Sequence, residues 1–157
     1  MEIERKYLIQ AEQIPFHPED YPCRLIEQAY LCTEPVVRIR RDNDDYILTY
    51  KSAGLMVREE YNLPLTKEAY AHLRKKADGR IITKRRYIIP LHEFIREAPY
   101  SSLSVELDVF SGDLNGLLLA EVEFPDERSA ENFTAPSWFG EDVTFSSKYH
   151  NSTLSKF

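Results

Sequence analysis

The chain begins with the run Glu2-Ile3-Glu4-Arg5-Lys6, which spaces two carboxylates and an ammonium two residues apart. Successive side chains of a β-strand point to opposite faces, so Glu2, Glu4 and Lys6 would share one face of a strand. Charged groups are costly to bury without partners, and such a face therefore suits a hydrated cavity. There the carboxylates could bind a hard divalent cation and the lysine could bind phosphate. A solvated edge strand would present the same residues.

Charges of one sign recur at alternate positions along the later strand-like segments. Arg38-Ile39-Arg40 carries two bases, whereas Glu106-Leu107-Asp108 and Glu121-Val122-Glu123 carry two acids each. Sorting by sign favours a lined cavity over the alternative, a sandwich with a charged outer surface. The polar members of the alternation are seven acids, Glu2, Glu4, Glu60, Glu106, Asp108, Glu121 and Glu123, and seven bases, Lys6, Arg38, Arg40, Lys51, Arg58, Lys84 and Arg86.

The two signs suit different parts of one ligand. Mg²⁺ and Mn²⁺ prefer oxygen ligands, so the acids predict a site for two such ions. Arginine and lysine bind phosphate oxygens, arginine through two parallel hydrogen bonds. Divalent cations would offset most of the negative charge of a triphosphate. The sequence therefore predicts a metal–triphosphate complex, a small-molecule polyanion, as the ligand.

Length and composition bound the class of protein. A chain of 157 residues with 43% hydrophobic residues is predicted to form one domain, residues 1–157. The formal net charge of −6 argues against a nucleic-acid binder, which is expected to carry a basic surface. No apolar run approaches the roughly 18 residues of a membrane span, and the charged N-terminus lacks the apolar stretch of a signal peptide. These features predict a cytoplasmic protein that does not enter a membrane.

The two cysteines, Cys23 and Cys32, are predicted to be free thiols. If residues 23–32 form one strand, their Cα atoms lie roughly 30 Å apart, whereas a disulfide needs them within about 7 Å. Free thiols also suit a reducing compartment, and the spacing matches no zinc site.

Eight segments are predicted to be strands because they alternate in polarity and are bounded by turn residues. Their predicted bounds are 2–9, 24–33, 36–42, 45–51, 56–64, 80–90, 102–110 and 117–124. Helices are predicted at 67–77 and 127–133, with N-caps at Thr66 and Asp126, and shortly after Thr144. Antiparallel strands joined by tight turns favour a mainly β (α+β) fold, an eight-stranded closed antiparallel barrel with a charged interior and a few peripheral helices.

The first run resembles the Glu-x-Glu-x-Lys signature of the CYTH superfamily, the triphosphate tunnel metalloenzymes. The resemblance continues through Arg38-Ile39-Arg40, Thr49-Tyr50-Lys51, Arg58-Glu59-Glu60-Tyr61, Lys84-Arg85-Arg86-Tyr87, Glu106-Leu107-Asp108, Glu121-Val122-Glu123-Phe124 and Trp138-Phe139-Gly140-Glu141-Asp142-Val143-Thr144. It implies an eight-stranded antiparallel tunnel that cleaves or cyclises triphosphates with divalent metal ions. Family members include class IV adenylate cyclases, thiamine triphosphatases, inorganic tripolyphosphatases and RNA triphosphatases.

Within this family the chain is most similar to the short bacterial tripolyphosphatases. Gln28-Ala29-Tyr30-Leu31 precedes the Arg38 motif, and the resemblance implies that Tyr30 and Lys51 form a tyrosine–lysine pair in the tunnel. It also suggests Lys148 at the tunnel mouth, although a surface lysine fits the sequence equally well. Asn62 departs from the pattern, because related members often carry a second carboxylate there. Its amide oxygen can still accept a hydrogen bond or bind metal, without charge.

The residues and the resemblance together predict a metal-dependent hydrolase of inorganic tripolyphosphate, with nucleoside triphosphates as secondary substrates and a metal-activated water as nucleophile. The alternatives are an adenylate cyclase, a thiamine triphosphatase and a non-catalytic polyphosphate-binding module, and a homodimer is left open. No histidine falls on a polar strand face, so no catalytic histidine is predicted. The predicted catalytic residues are Glu2, Glu4, Lys6, Tyr30 and Lys51; the phosphate ligands are Lys6, Arg38, Arg40, Lys51, Arg58, Lys84, Arg86 and Lys148; the metal ligands are Glu2, Glu4, Glu60, Glu106, Asp108, Glu121 and Glu123.

Overall fold

One antiparallel sheet of nine strands frames the molecule in a computed structural model that describes residues 1–156. The strands are β1 (Glu2–Leu8), β2 (Cys23–Thr33), β3 (Val36–Asp42), β4 (Asp45–Lys51), β5 (Val57–Arg58), β6 (Glu60–Pro64), β7 (Ile82–Pro90), β8 (Ser104–Phe110) and β9 (Leu118–Glu123). The α-helices are α1 (Lys67–Arg74), α2 (Glu127–Glu131) and α3 (Asn151–Leu154). The predicted mainly β architecture with peripheral helices is therefore confirmed.

The predicted strand count of eight was one too few, because the segment 56–64 is two strands. β5 pairs with β1, placing Arg58 beside Glu2, and β6 pairs with β4, placing Glu60 beside Lys51. These are the two edges of the sheet, so one short stretch of chain joins both edges and nearly closes the barrel. Arg58 and Glu60 keep the same alternation on either side of Glu59, which is why the sequence pattern does not reveal the change of partner.

The order of the strands separates the charges. The sheet runs β5-β1-β9-β8-β7-β2-β3-β4-β6, which groups the acid-bearing strands β1, β9 and β8 and, around β2, the base-bearing strands β7, β3 and β4. In this register Glu4 lies opposite Glu123, and Lys6 lies opposite Glu121. The inside of the barrel therefore has an acidic side and a basic side.

The apolar members of the alternation point outward and form the core between the barrel and its covering segments. Val105, Leu107 and Val122 are completely buried there. They belong to one cluster with Phe133 and Trp138, and Trp138 packs edge-on against Phe16 at a ring distance of 5.1 Å. Burial of each large apolar side chain contributes about 1.5–3 kcal/mol, so this outer core can support a barrel whose interior is charged.

One end of the barrel interior is apolar. Ile82, Phe110 and Leu119 lie two residues from Lys84, Asp108 and Glu121 on β7, β8 and β9, respectively. They pack with Tyr30 and Val143 in a second buried cluster. The inward faces of these strands thus change from charged to apolar. The hydrated part of the interior lies beyond this apolar end.

The remaining local predictions concern helix starts and cysteines. Thr66 Oγ1 accepts a hydrogen bond from the Ala69 N–H at 3.0 Å, and Asp126 Oδ1 accepts one from Ser129 at 2.7 Å, so both N-caps are confirmed. Cys23 and Cys32 are free, as predicted. Among residues 1–156, no helix combines the length and apolar character needed to cross a membrane.

Candidate active site

A cavity of about 420 Å³ lies within the barrel, between its acidic and basic sides. Its walls carry most of the charged residues that the alternation placed on the inner face. These are Glu2, Glu4, Lys6, Arg38, Arg40, Lys51, Arg58, Glu60, Arg86, Glu106, Glu121 and Glu123, together with Tyr30 and Asn62. The structure therefore brings together the residues proposed for the site.

Three predicted site residues do not line this cavity. Lys84 and Asp108 form a fully buried ion pair of 2.6 Å, with the Lys84 ammonium 5.2 Å from the centre of the Phe110 ring. They point inward as predicted but lie toward the apolar end, so direct roles in binding phosphate or metal are not supported by their position. Lys148 is exposed, and its ammonium lies 5.3 Å from the Tyr149 ring. Lys148 does not line the cavity, and its place at the tunnel mouth stays a prediction.

The basic side of the cavity presents arginines without carboxylate partners. Arg40 donates from Nε and Nη2 to Gln28 Oε1 at 2.9 and 2.6 Å, and Arg38 donates to Thr49 Oγ1 at 3.2 Å. Within residues 1–156 neither guanidinium forms an ion pair with an acid. Burial and the charges of Arg38 and Arg86 lower the pKa of Arg40 to about 9. This concentration of positive charge favours an anion as the missing partner.

The replacement Arg40→Lys is expected to raise the KM for tripolyphosphate about tenfold, although the charge is kept. The planar guanidinium of Arg40 binds Gln28 and can still offer another N–H to phosphate. Lysine cannot copy this geometry. Steady-state kinetics at saturating metal would measure the effect. Arg41→Lys is the matched control, because Arg41 is exposed on the outer face of the same strand. Equal KM values for wild type and Arg40→Lys would show that Arg40 does not contact the substrate.

The acidic side carries more negative charge than its partners neutralise. Burial, Glu121 and Glu2 raise the pKa of Glu4 to about 8. Burial and a hydrogen bond with Glu60 raise the pKa of Glu2 to about 7, although Lys51 donates to Glu2 at 2.8 Å. The Glu4 carboxylate forms no hydrogen bond or ion pair with residues 1–156. A bound cation would provide the positive charge that keeps these carboxylates ionised.

The donor set fits a hard divalent cation. All the acidic side chains that line the cavity offer carboxylate oxygens, the ligands that Mg²⁺ and Mn²⁺ prefer. Burial and the charges of Glu106 and Glu60 also raise the pKa of Glu123. Within the described residues, no three acid, histidine or cysteine side chains are already arranged as a metal-ligand set.

Arg86 joins the basic and acidic sides. Its Nε and Nη2 donate to the two oxygens of Asp108 at 2.7 and 2.9 Å, and Nη1 lies 2.9 Å from Glu106. Another contact of 3.8 Å reaches Glu121, which also pairs with Lys6 at 3.4 Å. Burial alone would raise the pKa of Glu121, but Lys6 and Arg86 hold it well below its usual value. Asp108 thus fixes the direction of an arginine that reaches the cavity.

The expected hydrogen bond between Tyr30 and Lys51 is not present in the part of the chain that the structure describes. Both side chains line the cavity, but Lys51 is paired with Glu2, and no hydrogen bond joins it to the Tyr30 hydroxyl. The cross-strand register explains this: β5 pairs with β1 and β6 pairs with β4, so the chain on either side of Glu59 brings Glu2 and Lys51 to the same edge of the cavity. The role of Tyr30 in catalysis stays a prediction.

A C-terminal segment supplies wall residues that the sequence did not indicate. His150, Asn151 and Ser152 line the cavity, and Asn151 Oδ1 is buried without a hydrogen-bond partner among the described residues. Burial and the charges of Lys6 and Arg58 lower the pKa of His150 to about 4. His150 lines the cavity although it lies on no strand face, and the absence of a catalytic histidine stays a prediction. Strand alternation could not find these residues, because the segment is not a strand.

The barrel interior sets acids against bases around one cavity, an arrangement that suits a ligand made of a polyanion and cations. The family model for the CYTH domain matches residues 1–157. The chain belongs to the CYTH family, as its motifs predicted.

Similar proteins match over nearly their full lengths. The inorganic triphosphatase of Nitrosomonas europaea is 36% identical over 156 residues, covering 98% of this chain and 95% of the relative. The inorganic triphosphatase of Acetivibrio thermocellus is 32% identical over 160 residues, covering 99% and 93%. The crystal structure of the inorganic triphosphatase NE1496 aligns with a TM-score of 0.69 at 33% identity, covering 99% of this chain and 94% of that one.

Proposed function

We propose that this chain is a metal-dependent inorganic triphosphatase that hydrolyses tripolyphosphate, with nucleoside triphosphates as secondary substrates. The observation that supports this most directly is that one cavity holds both groups of charges. Arginines that have no acidic partner within residues 1–156 face glutamates whose negative charge is only partly neutralised. A metal–triphosphate complex supplies an anion to the first group and cations to the second. Two similar proteins that carry the name inorganic triphosphatase agree with this proposal.

The basic residues would hold the phosphate chain. Arg38 and Arg40 offer their free N–H groups from one wall, and Arg86 offers charge from the border with the acidic side. Lys6, Lys51 and Arg58 would complete the set. Fixed cations aimed at the phosphoryl oxygens stabilise the charge that develops during transfer.

The acidic residues would hold the metal and handle the proton. Two Mg²⁺ or Mn²⁺ ions, when bound, would polarise the phosphoryl oxygens and lower the pKa of the attacking water. The candidate ligands that line the cavity are Glu2, Glu4, Glu60, Glu106, Glu121 and Glu123. A carboxylate of this wall that does not bind metal would accept the proton of the attacking water.

Three other functions make different predictions. A non-catalytic polyphosphate-binding module needs the bases alone, whereas six predicted metal-binding acids line this cavity. An adenylate cyclase or thiamine triphosphatase would prefer a substituted triphosphate. A panel of tripolyphosphate, ATP and thiamine triphosphate at matched metal concentration separates these cases. The cytoplasmic location and a homodimer stay predictions.

Removal of metal is expected to abolish activity. Phosphate release from tripolyphosphate should be strong with Mg²⁺ or Mn²⁺ and should fall at least about a hundredfold in EDTA, because the acidic wall then lacks its cations. Adding metal back should restore the rate. Turnover that persists in EDTA, or binding of tripolyphosphate without turnover in either metal, would contradict the proposal.

A further inference from the structure

Residues 149–155 form a C-terminal segment after the last barrel strand, and three of them form a wall at one end of the cavity. His150 and Ser152 line the cavity on one side and an outer pocket on the other, together with Val36 and Arg58. His150 is half-buried, so its imidazole stands between the cavity and solvent. A bound polyphosphate that extends to this end would meet this ring.

The segment is held in place by contacts with the barrel. Lys6 Nζ donates to the Tyr149 carbonyl at 3.2 Å, which fixes the backbone next to His150. Gly79, at a φ of 89°, passes close to Ser155, and an added Cβ would lie 2.3 Å from the Ser155 carbonyl oxygen. Only glycine allows this approach at a positive φ. The position of His150 is therefore set by the fold.

The ring of His150 has no hydrogen bond or ion pair with residues 1–156. The charged groups around it are Lys6 on β1, Lys51 on β4, Arg58 on β5 and Glu121 on β9, with Glu34 and Lys156 lining the outer pocket. Three of the four groups on the cavity side are cations. Together with burial they keep the imidazole neutral in the cavity at neutral pH.

We propose that His150 is a substrate-binding residue that takes up one proton from solvent when polyphosphate binds and then donates a hydrogen bond to a phosphate at this end. An anion placed among Lys6, Lys51 and Arg58 reverses the field that disfavours the imidazolium. The protonated ring donates from both nitrogens, whereas the neutral ring donates from one. This inference rests on the proposed function, because it needs a polyanion in the cavity.

Calorimetric titration of tripolyphosphate into protein in EDTA tests the proposal without turnover. Two buffers of different ionisation enthalpy at pH 6.5 report the number of protons taken up per molecule bound. For His150→Gln, uptake should be lower than in wild type by at least about half a proton. The Kd should rise about tenfold at pH 6.0 and no more than about twofold at pH 8.5, since one charge-assisted hydrogen bond is lost only where the ring is protonated.

His92→Gln is the matched control, because His92 is exposed and lies outside the cavity walls. His150→Lys keeps a permanent charge and should bind tripolyphosphate as tightly as wild type at pH 8.5 or more tightly, with less proton uptake. Equal proton uptake by wild type and His150→Gln would overturn the role of His150 alone. Failure of the wild type to bind tripolyphosphate in EDTA would overturn this inference, whereas the proposed function would be overturned only by the absence of phosphate release with Mg²⁺ or Mn²⁺.

Discussion

Glu4→Gln is expected to lower the turnover of tripolyphosphate by at least about a hundredfold while the protein stays folded. The substitution keeps the volume of the side chain and removes one charge from the acidic wall. Glu4 has no partner among residues 1–156 to lose, so the fold should tolerate the change. The effect should be largest at limiting Mg²⁺ or Mn²⁺, which initial rates over a metal titration would show.

Glu59→Gln is the matched control, because Glu59 is exposed and lies between β5 and β6, outside the cavity. Its kinetics should equal those of wild type. Near-normal turnover of Glu4→Gln at limiting metal would mean that Glu4 is not part of the metal site.

The stability of the metal-free protein gives a second readout of the same variant. The pKa of Glu4 is about 8 in the folded chain and about 4.5 ordinarily, so the folded state holds a proton that the unfolded state releases. The contribution of Glu4 to the free energy of unfolding is therefore greatest below pH 4.5 and falls as pH rises toward 8. In EDTA, wild type should lose stability relative to Glu4→Gln over this range. If the stability of wild type and that of Glu4→Gln changed in parallel with pH, the raised pKa of Glu4 would be contradicted.

Strand alternation predicts the inner face of the barrel well, because the side-chain period of a strand is two. It identified Glu2, Arg38 and Glu121 as inward without any knowledge of strand pairing. It could not give depth along the barrel, since every second residue of a strand shares a face. Lys84 and Asp108 show this, because the same pattern that carries Arg86 into the cavity places them beside the apolar end.

Pairing and irregular segments are the other parts that the sequence pattern leaves open. Lys51 contacts Glu2 at the closure of the barrel, where β5 pairs with β1 and β6 pairs with β4. The break at Glu59 between β5 and β6 does not disturb the alternation. His150 reaches the cavity from a segment with no strand period. Such contacts depend on long-range register, which local periodicity does not determine.

Asp108→Asn is expected to have the largest effect on stability of the changes considered for this protein. Asp108 is completely buried and accepts hydrogen bonds from Lys84 at 2.6 Å and from Arg86 at 2.7 and 2.9 Å. The amide keeps the shape but leaves the buried Lys84 ammonium without its counter-ion and removes one of the carboxylates that pair with Arg86. Breaking a buried ion pair by removing one partner costs about 3–5 kcal/mol. For a chain of this length the Tm should fall by roughly 6–20 °C.

Activity should fall as well, because Arg86 loses the two hydrogen bonds that aim it at the cavity. Asp113→Asn is the control, since the Asp113 side chain is 71% exposed and its ion pair with Arg80 is 4.0 Å long. Lys84→Met in the Asp108→Asn background should recover part of the lost stability, because it removes the uncompensated charge. An unchanged Tm for Asp108→Asn would mean that Lys84 is neutral in the folded protein or that water reaches the pair.

The pH dependence of stability shows whether the loss in Asp108→Asn comes from the charge of Asp108 or from packing. Burial alone would raise the pKa of Asp108, but Arg86 and Lys84 lower it below its usual value. The contribution of Asp108 to stability is therefore complete above about pH 4 and is lost as pH falls through its folded pKa. Wild type and Asp108→Asn should differ most in Tm near neutral pH and converge in acid. A difference that stays constant down to pH 3 would assign the loss to packing, and the charge of Asp108 would then have no role in holding Arg86.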